Sequence, residues 1–95
     1  MKRIDVLVCD EETVLALEFV YRSEDITVWF GNRTLAVMAR EAFARWSLRG
    51  GDLIIDDLVF SSRGRAAHLT IDGRHTYVLA EATLADLAHH TRTGR

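Results

Sequence analysis

The sequence predicts an α+β fold, in which short, mostly antiparallel strands form the sheets and two helices pack against them. Short segments rich in β-branched residues alternate with polar turns, and short links of this kind join antiparallel strands. The pairs Gly31-Asn32 and Asp72-Gly73 are typical of tight hairpin loops. Two stretches, over residues 39–48 and 81–91, have the apolar spacing of helices. The predicted order of elements is ββββαβββα.

Size and composition predict one domain of a globular protein. The chain has 95 residues, of which 48% are hydrophobic and 27% are charged. It shows no signal-peptide pattern and no apolar run long enough to span a membrane, so we expect a cytoplasmic protein without membrane insertion. The single cysteine, Cys9, cannot form an internal disulfide. Residues 92–95 are expected to be a disordered tail.

The second strand, "TVLALEFVY", is apolar on both of its faces. Leu15, Leu17 and Phe19 fall on one face, and Val14 and Val20 fall on the other. A strand of this kind needs cover on both sides, from a helix, a second sheet or another subunit. Leu15, Leu17 and Phe19 are therefore candidate core or oligomer contacts, and a homo-oligomer is expected.

The stretch from Val28 to Trp46 fits two structures. Its apolar spacing fits one long helix, for which Asn32 would be the N-cap. If the Gly31-Asn32 pair instead closes a hairpin, directly opposed residues share one face of the sheet. That face would then be apolar throughout, with Ile26, Val28, Phe30, Leu35 and Val37 on it.

This coherence favours the hairpin. The fourth strand is then predicted over Arg33 to Met38, and a helix over Ala39 to Leu48 that ends at Gly50-Gly51. We interpret Trp46, on the apolar side of this helix, and Trp29, in the third strand, as packing or oligomer contacts. Base stacking by these rings is the less favoured interpretation.

The second half of the chain, like the first, is predicted to contain short strands followed by a helix. "DLIIDDLVF" is predicted as one strand, and "AAHLTI" and "RHTYVLA" as the strands of a hairpin closed by Asp72-Gly73. "EATLADLAHHT" is predicted as a closing helix that buries Leu84, Leu87 and Ala88.

Four segments resemble the SsgA-like proteins, small regulators of cell division and sporulation in actinobacteria. In "FVYRSEDITVWF" an aromatic residue and a polar turn with Asp lead into a strand, and in "LAVMAREAF" a strand passes into a helix through Ala-Arg-acidic. "RGGDLIIDDL" resembles the family's Gly-Asp strand, and "TYVLAEATLADLAHHT" its closing strand and helix. The order and spacing of these segments carry the resemblance over most of the chain.

The resemblance implies a whirly-like β-barrel with two helices, assembled as a trimer and without catalytic activity. It further implies an adaptor that helps to place the tubulin-like division GTPase FtsZ, or an associated division protein, at division septa. The trimer would also account for the surplus apolar face of the second strand.

The polar side chains do not predict an enzyme. Asp52, Asp56 and Asp57 could form an acid–base or Mg²⁺ cluster, but no nucleophile or phosphate loop accompanies them. His68 and His75 are predicted on one face of the second hairpin, and a metal site needs at least three ligands. We therefore expect no catalytic residues, no cofactor and no metal.

Two alternatives come from other classes of protein. A single-stranded nucleic-acid-binding module would use Arg63, Arg65 and Arg74, which are predicted to cluster around the second-half hairpins. The net charge of −2 argues against nucleic acid as a partner. A small immunity or antitoxin-type protein that binds one protein partner is the other alternative.

Overall fold

The computed structural model describes residues 2–63 and 66–93, without the side chains of residues 63 and 93. Over this part of the chain there are eight strands and two helices, in the order ββββαββββα. The strands are β1 (Lys2–Cys9), β2 (Val14–Tyr21), β3 (Asp25–Phe30), β4 (Arg33–Ala39), β5 (Gly51–Ile55), β6 (Leu58–Arg63), β7 (Ala66–Ile71) and β8 (His75–Leu79). The helices are α1 (Arg40–Arg49) and α2 (Glu81–Thr93).

All the strands pair antiparallel in one sheet of order β4-β3-β2-β1-β8-β7-β6-β5. Hairpin connections account for every pair except β1 with β8, where Cys9 lies opposite Val78 and joins the two halves of the chain. The sheet curls into a nearly closed barrel, with β4 and β5 as its edges. The predicted α+β class with antiparallel strands and two helices is confirmed.

One expected strand is a hairpin. The segment predicted as a single strand over 52–60 forms β5 and β6, and Asp56 and Asp57 make the loop between the paired residues Ile55 and Leu58. A continuous strand would have placed Asp57 on the same face as Ile55, and Leu58 on the opposite face. The turn brings Leu58 back to the interior, where it is fully buried, and Asp56 accepts the left-handed conformation that this requires, with φ of 50°.

The stretch from Val28 to Trp46 contains a strand and then a helix, as the hairpin interpretation predicts. Strand β4 runs over Arg33–Ala39 and helix α1 over Arg40–Arg49. Gly50, with φ of 75°, ends the helix by donating its N–H to the carbonyl of Trp46.

The predicted register of this hairpin is wrong beyond its first pair. A bulge between Val28 and Trp29 places Val28 opposite Ala36 instead of Leu35. The pairing is thereby shifted by one residue, so Val37 points outward and is 50% exposed. Val37 therefore does not lie on the predicted apolar face, whereas Phe30 stays on the face of Val28 by alternation but is exposed at the end of β3.

The second hairpin also has an extra residue. Asp72 and Gly73 both have positive φ, as a tight hairpin turn requires, but Ile71 pairs with His75, which leaves Arg74 unpaired. His68 therefore lies opposite Val78. The expectation that His68 and His75 share a face is wrong, because the additional residue reverses the side of every following side chain.

The core is built around aromatic side chains. Phe43 and Trp46 of α1 pack onto Phe60 of β6 with ring centroids 5.4 Å from its ring, and Phe19 of β2 lies 6.4 Å from Phe60. Helix α1 thus directs its aromatic side chains into the interior of the barrel, where they contact strands from both halves of the chain.

Helix α2 is attached to the barrel by polar contacts at its C-terminal end. The hydroxyl of Tyr21 lies 3.0 Å from both the carbonyl oxygen of Leu87 and the Oγ1 atom of Thr91. Arg40 donates from Nη2 to the carbonyls of His90 and Thr91, each at 3.0 Å. These contacts hold the last turns of α2 against β2 and the start of α1.

The helix extends further than expected. Residues 92 and 93, predicted as part of a disordered tail, belong to α2. Positions 94 and 95 lie outside the described residues.

Candidate protein-binding surface

The outer face of the barrel carries a contiguous apolar area on β1, β2 and β8. We call it the outer apolar patch, and its members are Leu7, Cys9, Val14, Ala16 and Val78. They are neighbours because Cys9 pairs with both Val14 and Val78, and Leu7 pairs with Ala16. Leu7 is 60% exposed, Val14 63% and Val78 45%, so water contacts a surface that apolar side chains dominate.

The inner face of the same strands is already filled by the protein's own core. Val6, Val8 and Leu17 are buried beneath the patch, together with Phe19. Where β1 and β2 form the patch they are therefore apolar on both faces, and there only the inner face is covered within one subunit. A contiguous exposed apolar area of this kind is typical of a protein–protein contact.

Most of the residues predicted as core or oligomer contacts belong to the core. Leu17, Phe19 and Trp46 are buried, and Leu15 packs against them while half-buried. Trp29 alone among these candidates lies on the outer face, half-buried and paired with Glu18. Arg3 and Glu18, whose charged atoms are 3.4 Å apart, stand between Trp29 and the patch.

The sequence reasoning missed Leu7 and Val78 as surface residues. Each is the outward member of an alternating strand, "VLVC" or "YVL", so the alternation carried a signal. Their proximity required knowledge that β1 pairs with β8, and that pairing joins segments nearly seventy residues apart, with Cys9 opposite Val78.

An open groove of about 360 Å³ lies between α1 and β5. Its lining includes Arg45, Trp46, Arg49, Asp52 and Leu53, and we call it the cationic groove. Trp46 is held in place by a hydrogen bond of 2.9 Å from its Nε1 to the carbonyl of Gly51. Arg45 is 3.9 Å from the exposed carboxylate of Glu41, a distance and exposure at which an ion pair contributes little.

The aspartates of the β5–β6 turn have structural contacts. Arg33 donates from Nη2 to Asp57 at 3.0 Å and to Asp72 at 2.8 Å, and the N–H of Val37 donates to Asp56 at 3.4 Å. The hydrogen bonds from Arg33 lower the pKa of the Asp72 carboxyl, and those to Asp72 and Asp57 raise the pKa of the Arg33 guanidinium. These contacts close the gap between β4 and β5. Asp52, which the sequence groups with Asp56 and Asp57, lies at the other end of β5 and takes no part in them.

In the part of the chain that the structure describes, the arginines proposed for nucleic-acid binding, Arg63, Arg65 and Arg74, are not seen to cluster. Arg65 lies outside the described residues, and the side chain of Arg63 is not described. Arg63 pairs with Ala66 at the start of β7, whereas Arg74 follows the end of that strand, about 17 Å away at the usual rise per residue. The described neighbour of Arg74 is the acidic Asp72, whose pKa it also lowers.

Comparison with protein-family models, with curated proteins and with solved structures finds no match to the chain. In residues 2–63 and 66–93, histidine, cysteine and carboxylate side chains form no group of three or more with the arrangement of a metal site. Neither helix in this part of the chain has the length and apolar character needed to cross a membrane.

Proposed function

We propose that the protein is a non-catalytic, homo-oligomeric adaptor of the SsgA-like kind. In this proposal it acts in the cytoplasm at division septa, where it helps to localise FtsZ or an associated division protein. The observation that carries the proposal is the outer apolar patch, because it offers a surface for a protein partner on strands whose inner face is already occupied.

Two further observations support this function. The antiparallel barrel with two helices agrees with the fold that the resemblance implies. The carboxylates of Asp56, Asp57 and Asp72 serve to close the barrel, so they are engaged in contacts that a general acid or base would have to give up.

The test combines oligomer mass with FtsZ capture. By light scattering the unaltered protein is expected at about three times the 10.8 kDa subunit mass, and purified FtsZ is expected to co-sediment with it. Leu7→Lys and Val78→Lys place a charge in the patch and are expected to weaken FtsZ capture at least about tenfold, because a lysine cannot be buried there without a partner.

Val37→Lys is the matched control, since Val37 is an exposed valine on the outer face of a different strand. It is expected to keep both properties. The proposal would be contradicted if the unaltered protein were a monomer at all concentrations, or if both patch variants captured FtsZ as strongly as the unaltered protein.

A further inference from the structure

The turn between β1 and β2 presents an exposed group of carboxylates. We call Asp10, Glu11 and Glu12 the acidic turn; all three residues are exposed. Asp10 orders the turn, because its Oδ1 accepts hydrogen bonds of 2.8 Å from the N–H groups of Glu12 and Thr13. Within the described part of the chain, the carboxylates of Glu11 and Glu12 have no ion-pair or hydrogen-bond partner.

The cationic groove has the opposite charge, because two arginines, Arg45 and Arg49, and one carboxylate, Asp52, line it. Arg49 has no ion-pair or hydrogen-bond partner among the residues that the structure describes, and Arg45 has only its distant contact with Glu41. Leu48, beside both arginines on α1, is 72% exposed. Val14, directly after the acidic turn, is 63% exposed. Each surface therefore combines exposed charges with one exposed apolar side chain.

The two surfaces lie at the same end of the sheet but on different strands. A row of paired residues runs across the outer face from Asp52 at the groove to Cys9 beside the turn, through Ser61, His68 and Val78. This row covers four strand-to-strand steps, which amount to about 19 Å along the sheet at the usual strand spacing. Strands β6, β7 and β8 lie between the two surfaces, so the acidic turn cannot occupy the groove of its own subunit.

We propose that the occupant of the cationic groove is the acidic turn of a second copy of this chain. Glu11 and Glu12 of one copy pair with Arg45 and Arg49 of the next, and Val14 packs on Leu48 of that copy. The contact is heterologous when each copy offers its acidic turn to one neighbour and its groove to another, and it then forms a ring if the rotation between copies closes. This inference rests on the proposed function, since it names the contact through which the oligomer forms.

Charge explains why the copies would meet in this orientation. A contact that placed acidic turn against acidic turn, or groove against groove, would bring like charges together, and they would repel. The head-to-tail contact instead pairs opposite charges in a molecule whose net charge of −2 gives no general attraction between copies.

A charge-swap experiment tests the contact. One variant combines Glu11→Lys with Glu12→Lys, and a second combines Arg45→Glu with Arg49→Glu. Each is expected to weaken self-association about tenfold or more by light scattering, because each places like charges at the contact. A variant carrying all four changes restores opposite charges and is expected to recover the oligomer. Self-association of this fourfold variant and of the unaltered protein is expected to weaken as the salt concentration rises, because salt screens the paired charges.

The control variant combines Glu24→Lys with Glu81→Lys, which changes net charge as the turn variant does but at exposed sites elsewhere. It is expected to keep the oligomer, and circular dichroism verifies that all variants fold. An oligomer that neither reversed pair weakens, or that the fourfold variant fails to recover, would overturn this contact while leaving the proposed function standing. A monomeric unaltered protein would overturn both.

Discussion

Arg33 is the side chain that links the two halves of the barrel at the gap between β4 and β5. It begins β4, and its guanidinium reaches Asp57 in the β5–β6 turn and Asp72 in the β7–β8 turn. Both turns depend on an aspartate in the left-handed conformation, with φ of 50° at Asp56 and 57° at Asp72. Aspartate tolerates this conformation better than most residues, so the same residue type provides both the turn and the charge.

The Arg33 contact predicts a specific sensitivity to acid. Hydrogen bonds from Arg33 lower the pKa of Asp72 in the folded protein. The stability that Asp72 contributes is therefore fully present above its ordinary pKa, about 4, and is lost as the pH falls through the lowered value. The melting temperature of Arg33→Met should be below that of the unaltered protein at pH 7, and the difference should shrink as the pH falls below about 4, the ordinary pKa of an aspartate.

Arg22→Met is the matched control, because Arg22 is exposed and its side chain has no described carboxylate partner. Its melting temperature should differ from that of the unaltered protein by the same small amount at both pH values. A difference for Arg33→Met that stays constant from pH 7 to pH 3 would show that Asp72 does not gain stability from this contact.

At the scale of elements, α2 is held by groups that lie far from it in the sequence. The hydroxyl of Tyr21 in β2 donates to the carbonyl of Leu87, near the C-terminal end of α2. Arg40 of α1 donates to the carbonyls of His90 and Thr91 in the same end of the helix. A cation at this end of a helix is favourable, because the final carbonyls have no partner within the helix. Burial raises the pKa of the Tyr21 hydroxyl, so it remains a donor at neutral pH.

Removal of the Tyr21 hydroxyl should measure this attachment. Tyr21→Phe is expected to lower the free energy of unfolding by about 1 kcal/mol, the usual net contribution of one hydrogen bond. The loss should stay near that value because Thr91 still donates to the carbonyl of Leu87 at 2.7 Å. Urea denaturation measures it.

Tyr77→Phe is the matched control, since the Tyr77 ring is also buried but its hydroxyl has no described hydrogen bond. This variant should leave the free energy of unfolding nearly unchanged. Equal losses in the two variants would show that the contacts of the Tyr21 hydroxyl do not stabilise α2.

For the whole molecule, one aromatic cluster unites both halves of the barrel. Phe60 contacts Phe19 from the first half of the sheet and both Phe43 and Trp46 from α1. It is fully buried, and a chain of this size has few other large side chains to compensate for its loss.

Phe60→Ala is expected to cost about 3–5 kcal/mol, because it removes buried apolar area and leaves a cavity. That is a large part of the roughly 5–15 kcal/mol by which small domains are stable, so the variant should melt at a much lower temperature. Val59→Ala, one residue earlier and on the outer face, should cost less than about 1 kcal/mol. Similar losses in both variants would contradict the central place of Phe60 in the core.

Local sequence patterns predicted most of the fold. The bounds of β4 and α1 followed from the agreement between the Gly31-Asn32 turn and the alternation of apolar residues, and the structure has them within one residue. What the patterns missed were single-residue shifts: the bulge beside Val28, the unpaired Arg74 and the turn at Asp56. An extra residue costs little locally, but it reverses which face every following side chain occupies.

The sequence by itself determined the class, because short-range alternation and turn residues decide which segments are strands and which are helices. The tertiary structure alone decided which of the apolar faces are covered. Phe19 and Trp46 enter the core, while Leu7 and Val78 remain exposed beside each other. The physical reason is the pairing of β1 with β8, a contact between distant segments that no local preference encodes.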